Sequence, residues 1–338
     1  MSDLEKLRRP EARKLGRRVS SSEDFILLMV LVGIMAGLAV LTKGVSVSRA
    51  NITSILLRSS TTGIAAIGQF FVVLSAGIDL SVGGVGALCM VLGGLLITGP
   101  EAGVPGLLAD LTLPLATGIV ISLLLGAGVG AANGSLVTRV RMPPLIVTLA
   151  MWIIARGGAT AISHGARVNI MPHALVAFGQ GNIAGVPLPF VVFIVVAVLA
   201  YLVLYHTAFG KSVYSTGGNP ATSWLSGVKV DKITLLVYII SGFLAGLAGV
   251  LIMARSNVAA AISVGSLELD TVAAVVIGGT SLLGGRGSLI GVVLGVMILG
   301  VVSNGMNVMA LGPAAQEIVR GVIIFVAVAI DQIRRRNA

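Results

Sequence analysis

The sequence is poor in the side chains from which catalytic and metal centres are built. It holds one cysteine, Cys89, which excludes a disulfide framework and any site needing several thiolates. Its three histidines, His164, His173 and His206, show no ligand spacing, so no metal site is expected. Charge is scarce: 11% of the 338 residues, against about 25% in soluble domains. Nucleotide chemistry is missing as well. AFGKS at 208–212 ends like a Walker A loop, but Tyr205 stands where that loop needs its first glycine. GGRGSLIG at 284–291 lacks dinucleotide spacing and reads as a tight turn. With no HExxH and no converging Ser, His and acid set, no catalytic residue is expected.

What is present is apolar. Hydrophobic residues make up 56% of the chain, and the mean hydropathy is +1.03. Glycine occurs 45 times, as suits helices that approach closely in a membrane. These features point to an all-α, polytopic membrane protein. A span needs roughly 20 apolar residues. Ten runs qualify: 25–42, 60–77, 83–99, 113–136, 144–162, 187–206, 233–254, 270–284, 288–309 and 315–331. The eighth is short and ends in GGTSLLGGRG, which fits a half-span or a re-entrant segment.

The net charge of +10 could suggest nucleic acid, but its distribution points to lipid instead. Lys6, Arg8, Arg9, Arg13, Lys14, Arg17 and Arg18 precede the first run, and Arg334, Arg335 and Arg336 follow the last. Basic ends beside apolar spans place both tails, 1–24 and 332–338, in the cytoplasm. The N-terminal tail is too long and too mixed in charge for a cleaved signal peptide and is expected to be retained. With ten spans, the inner side holds sixteen basic residues, including Arg139, Arg141, Lys211, Lys229, Lys232 and Arg286. The outer side holds Lys43, Arg49, Arg58, Arg167 and Arg255. Loop 100–112, with Glu101 and Asp110 and no basic residue, suits the outside.

Few charges lie near or within the spans: Asp79, Arg156, Asp270, Glu317 and Arg320 are the main ones. Glu317 and Arg320, three apart on one helix, are expected to pair. Asp79 sits in an apolar stretch among Gly77, Ser81, Gly83 and Gly84. It either caps a helix starting near Ser81 or lines a translocation path. The inner loop 207–232 is turn-rich around Gly217, Gly218, Asn219 and Pro220. The run after it suits a short helix with Asn219 as N-cap and proline first. That helix, with Trp224 and Leu225 to bury, could rest on lipid or dock a soluble partner. The glycine rows 242–246–249 and 291–295 are expected to be helix-contact faces. Asn133–Gly134 and Asn304–Gly305 each follow a glycine-rich run and precede a proline. This hints at a five-plus-five inverted repeat.

Four ordered motifs resemble one family. AGIDLSVGG at 76–84, NGSLVTRVRMPPLIVTLAMWIIARG from Asn133, GGNPATSWLSGV at 217–228 and AAVVIGGTSLLGGRGSLIGVVLG from Ala273 are similar to segments of ABC sugar-importer permeases. These are the permeases of the ribose, xylose and arabinose class. The resemblance runs from about residue 25 to the C-terminus. It implies a bacterial inner-membrane subunit that pairs with a second permease copy. A separate cytoplasmic ATPase would use ATP and magnesium, and a periplasmic binding protein would deliver a sugar or polyol.

By the same resemblance, Gly77, Ile78, Asp79, Leu80 and Ser81 lie by the translocation path. Gly217, Gly218, Asn219, Pro220, Trp224, Leu225, Ser226 and Gly227 form the helix that couples to the ATPase. Two positions depart from the family. Ser223 and Trp224 replace an alanine–arginine pair, which implies a more apolar groove on the ATPase. Ala76 replaces a glycine, which implies slightly wider helix packing. With only two tryptophans, at 152 and 224, no stacking platform for a sugar ring is evident, and specificity is assigned to the binding protein. A carrier driven by protonation of Asp79, or a channel or structural membrane subunit, is the alternative.

Overall fold

The computed structural model describes residues 9–104, 111–169 and 171–336. Lys6, Arg8 and Asp110 lie outside them. Among the described residues are thirteen α-helices: α1 (Arg9–Leu41), α2 (Arg49–Leu74), α3 (Val82–Thr98), α4 (Leu115–Thr138), α5 (Pro144–Ile162), α6 (His173–Gln180), α7 (Leu188–His206), α8 (Ala208–Gly218), α9 (Pro220–Leu225), α10 (Val230–Ser256), α11 (Leu267–Ile277), α12 (Leu289–Val308) and α13 (Pro313–Arg336). Sheet among the described residues is confined to two antiparallel pairs of two-residue strands, Val168–Asn169 with Val258–Ala259 and Asn182–Ile183 with Val186–Pro187.

Helix starts follow local chemistry. Proline sits in the first turn of α5, α7 and α9, where a missing N–H costs nothing. Ser48, Thr207 and Ser288 cap α2, α8 and α12 by accepting backbone N–H bonds.

Eight helices among the described residues are long and apolar enough to cross a membrane: α1 from Glu23, α2, α3, α4, α5, α7, α10 and α12. Of the two other expected runs, one is too short to span. The run 270–284 is the 11-residue α11, about 16 Å at 1.5 Å per residue and half of a roughly 30 Å hydrocarbon core. The helix then stops at Gly278, and Gly279, Gly284 and Gly285 take positive φ in the turn-rich segment that follows. The run 315–331 lies within the 24-residue α13, which is long enough to cross a membrane.

The core is arranged around α10, packed against α4, α2 and α3. Close crossing depends on small residues. Gly126 and Gly130 of α4 lie against the carbonyls of Gly242 and Tyr238, and Gly249 lies against the carbonyl of Gly86, so no Cβ fits at any of the three. The row 242–246–249 is therefore a contact face, as is 291–295, where Gly291 meets Gly278 and Gly295 meets the Ala274 carbonyl. The span of α3 is 89% buried, against 22% each for α4, α5 and α7. The outer faces of those three helices present Leu124, Ile153, Ile154 and Leu199.

Candidate functional site

Residues 75–81 interrupt the helix between α2 and α3 inside the bundle. The break opens with a left-handed residue, Ala76, at φ 64°. Its N–H bonds the Val73 carbonyl and that of Gly77 bonds Val72, each at 3.0 Å, closing a Schellman turn. The alanine at 76 thus alters backbone strain, because the position asks for positive φ, where a Cβ costs about 1 kcal/mol.

Unwound backbone inside a membrane bundle needs hydrogen-bond partners. Four helices supply them. From α2, the Gln69 amide, oriented to satisfy both bonds, donates to the Asp79 carbonyl at 2.9 Å and accepts its N–H at 3.3 Å. From α10 and α5, Tyr238 and Thr148 donate to the Ile78 carbonyl at 3.2 and 3.4 Å. The Asp79 carboxylate is 1% exposed. Its Oδ1 accepts from the N–H and hydroxyl of Ser81 at 2.9 and 2.6 Å, and its Oδ2 from Ser241 at 2.7 Å. Ser81 Oγ accepts in turn from Asn133 of α4 at 2.9 Å. Gly77 and Ser81 are buried, while Ile78 and Leu80 are partly exposed.

The second sequence-derived segment is exposed. Asn219 accepts the Thr222 N–H at 3.0 Å and caps α9, with Pro220 as its first residue. The helix ends in another Schellman turn at Gly227, φ 84°, with Gly227 bonded to Trp224 and Val228 to Ser223. Trp224 and Leu225 are 69% and 78% exposed. Trp224 borders a groove of about 580 Å³ lined also by Arg141, Val230 and Asp231. Arg141 and Asp231 form a two-pronged ion pair at 2.9 and 3.1 Å, which ties the turn before α5 to the start of α10.

The structure brings the two segments together through glycine. The Gly285 N–H donates to the Leu74 carbonyl at 2.9 Å. A Cβ on Gly217 would fall on that same carbonyl, one on Gly284 would meet Ala76, and one on Gly285 would meet Gly218. The end of α2, the end of α8 and the turn after α11 are thus in backbone contact. Only residues without side chains allow it.

A polar cluster occupies the other end of α2. Arg58 and Arg255, with Asn51, Ser54, Asn304 and Asn307, line a cavity of about 670 Å³. Arg320 turns inward, its Nε 4.0 Å from Asp270 of α11. The expected Glu317–Arg320 pair is therefore replaced by an inter-helix one: Arg320 is half-buried and needs a counter-charge within the bundle, whereas Glu317 is exposed. The anchors Gln69, Thr148, Tyr238 and Ser241 were missed by motif reading. The available signal was a lone polar residue in each apolar run, as in IGQFF and IISGF.

The chain matches the family described as branched-chain amino acid transport system / permease component over residues 51–328. It is 35% identical to the ribose import permease protein of Escherichia coli, across 91% of this chain and 92% of that one. It is 34% identical to the D-allose transport system permease protein of the same organism, across 91% and 90%. It is also 34% identical to the fructose import permease protein of Rhizobium meliloti, across 96% and 90%. No solved structure matches the chain.

Proposed function

Because the chain belongs to this family of transport-system permease components, we propose that it is the membrane-spanning subunit of an ATP-driven importer for a monosaccharide or related polyol. A separate ATPase hydrolyses ATP with magnesium on the cytoplasmic side, where both tails of this chain lie. A periplasmic binding protein delivers the cargo, and a second permease copy completes the path. The observation that supports this reading is α9. It is short, capped at both ends, exposes Trp224 and Leu225, and directly follows α8, whose end meets Leu74 and Gly285 through Gly217 and Gly218. A push on α9 from the ATPase would reach the end of α2, and with it residues 77–81, through contacts too tight to absorb it. In this mechanism Asp79 anchors the break, so that Gly77, Ile78, Asp79, Leu80 and Ser81 move as a unit beside the path.

The relatives named above are transport permeases, and a proton-driven carrier finds no support in them. The test is purification of the tagged chain from its native membranes in mild detergent, with mass spectrometry of what accompanies it. A stoichiometric ATPase with nucleotide-binding loops is the expected result. Recovery of the chain alone, while a control transporter complex stays intact, would overturn the proposal.

A further inference from the structure

The polar cavity at the end of α2 remote from α9 has no part in the mechanism above. Its volume of about 670 Å³ falls within the range of about 300–1,000 Å³ for small-molecule sites. Two arginines line it, Arg58 from α2 and Arg255 from the last turn of α10. Arg58 lies well inside the span of α2, past its second turn. A guanidinium at that depth is costly unless water or an opposite charge meets it. Among the described residues no carboxylate lies within 4.0 Å of either arginine. Asp270 is in electrostatic range of Arg58 but is engaged by Arg320 at 4.0 Å, and Glu268 interacts with Arg156. Arg58 and Arg255 repel each other. The guanidiniums here outnumber the carboxylates, so positive charge at the cavity stays uncompensated.

Asn304 of α12 adds a different need. It lines the same cavity and is 7% exposed. Its NH2 donates to Asn51 at 3.4 Å, while its Oδ1 has no hydrogen-bond partner. The arginines call for oxygens bearing negative charge, and Asn304 calls for a donor. A metal cation is repelled. A neutral sugar leaves the charge uncompensated, and chloride leaves Asn304 unbonded. We propose that Arg58, Arg255 and Asn304 form a site for an oxyanion with a hydroxyl beside it. Two sources carry that chemistry. One is an acidic monosaccharide, whose carboxylate has a neighbouring hydroxyl. The other is the headgroup of phosphatidylglycerol, whose phosphate carries a glycerol. The first source rests on the import reading and narrows the cargo to sugar acids; the site itself stands without that reading.

The test uses the full chain, tagged and purified from its native membranes with the subunits that accompany it, then reconstituted in vesicles of phosphatidylcholine. Labelled D-gluconate is expected to bind saturably and D-glucose not to bind. Acetate, an oxyanion without a hydroxyl, should compete about tenfold more weakly than gluconate. Arg58→Gln and Arg255→Gln should each weaken gluconate binding about tenfold, the effect of one lost charge-assisted hydrogen bond, and Arg58→Lys should keep most of it. Arg58 is exposed, so its variants should melt like the unsubstituted chain, which separates lost binding from lost folding. Lipid as the source shows instead as phosphatidylglycerol retained through purification, absent from both glutamine variants and not displaced by gluconate. Gluconate bound by the chain but not taken up by cells carrying the intact importer would overturn the narrowing of the cargo and leave the site standing. Equal binding of each anion by chain and variants, or binding of neither, would overturn the site and leave hydrated arginines. The import reading fails separately, by recovery of the chain without an ATPase.

Discussion

At the residue scale, the helix break shows how one carboxylate is accommodated inside an apolar bundle. The carboxylate of Asp79 accepts three hydrogen bonds, so its burial is compensated. Asp79→Ala leaves the Ser81 and Ser241 hydroxyls without their acceptor and should destabilise the chain by roughly 3 kcal/mol, read as a lower melting temperature in detergent. Asp79→Asn keeps shape and an acceptor oxygen. It should retain most uptake, whereas a carrier driven by that carboxylate would lose all of it. Ala76 offers the opposite experiment. Its φ of 64° favours glycine, so Ala76→Gly should raise stability by about 1 kcal/mol or less, the unfolded-state entropy of glycine offsetting part of the relief.

At the element scale, α9 combines an exposed tip with an immobile base. Leu225→Asp adds charge where the side chain is 78% exposed. It should leave stability within about 0.5 kcal/mol of the original, as surface changes do, while removing the ATPase from the pull-down. Gly217→Val should behave differently. A side chain there meets the Leu74 carbonyl and forces α8 away from α2. The ATPase should still co-purify, with ATP hydrolysis no longer producing uptake. Loss of the ATPase in Gly217→Val, or its retention in Leu225→Asp, would contradict this division between tip and base.

At the scale of the whole molecule, the chain is organised by close helix crossings rather than by a large aromatic core. Gly242→Leu would drive a side chain into the carbonyl of Gly126 at the α4–α10 crossing. Overpacking of this kind costs about 1–3 kcal/mol, occasionally more, and should reduce the amount of folded chain recovered from membranes. Energy coupling also belongs to the assembly. Uptake should stop when ATP is depleted and continue when a proton uncoupler is added with ATP held constant.

The sequence by itself determined the all-α membrane architecture, because long apolar runs leave helices as the means of satisfying the backbone in lipid. It also determined α9, since capping by Asn219 and termination at Gly227 are local chemistry. The anomaly at Asp79 was legible as well, because a lone acid in an apolar stretch stands out. The tertiary structure decided who satisfies that acid. Ser241 lies 162 residues away and Tyr238 160 residues from its partner Ile78, separations to which no local pattern is sensitive. It decided that Arg320 faces Asp270 instead of Glu317, since burial, unlike spacing, is a property of the folded bundle. It decided too that Gly217, Gly285 and Leu74 meet, and that Glu268 and Trp152 pack against Gly83 and Gly84 at the start of α3. Both depend on which helices cross, and the fit of one surface against another fixes that only in three dimensions.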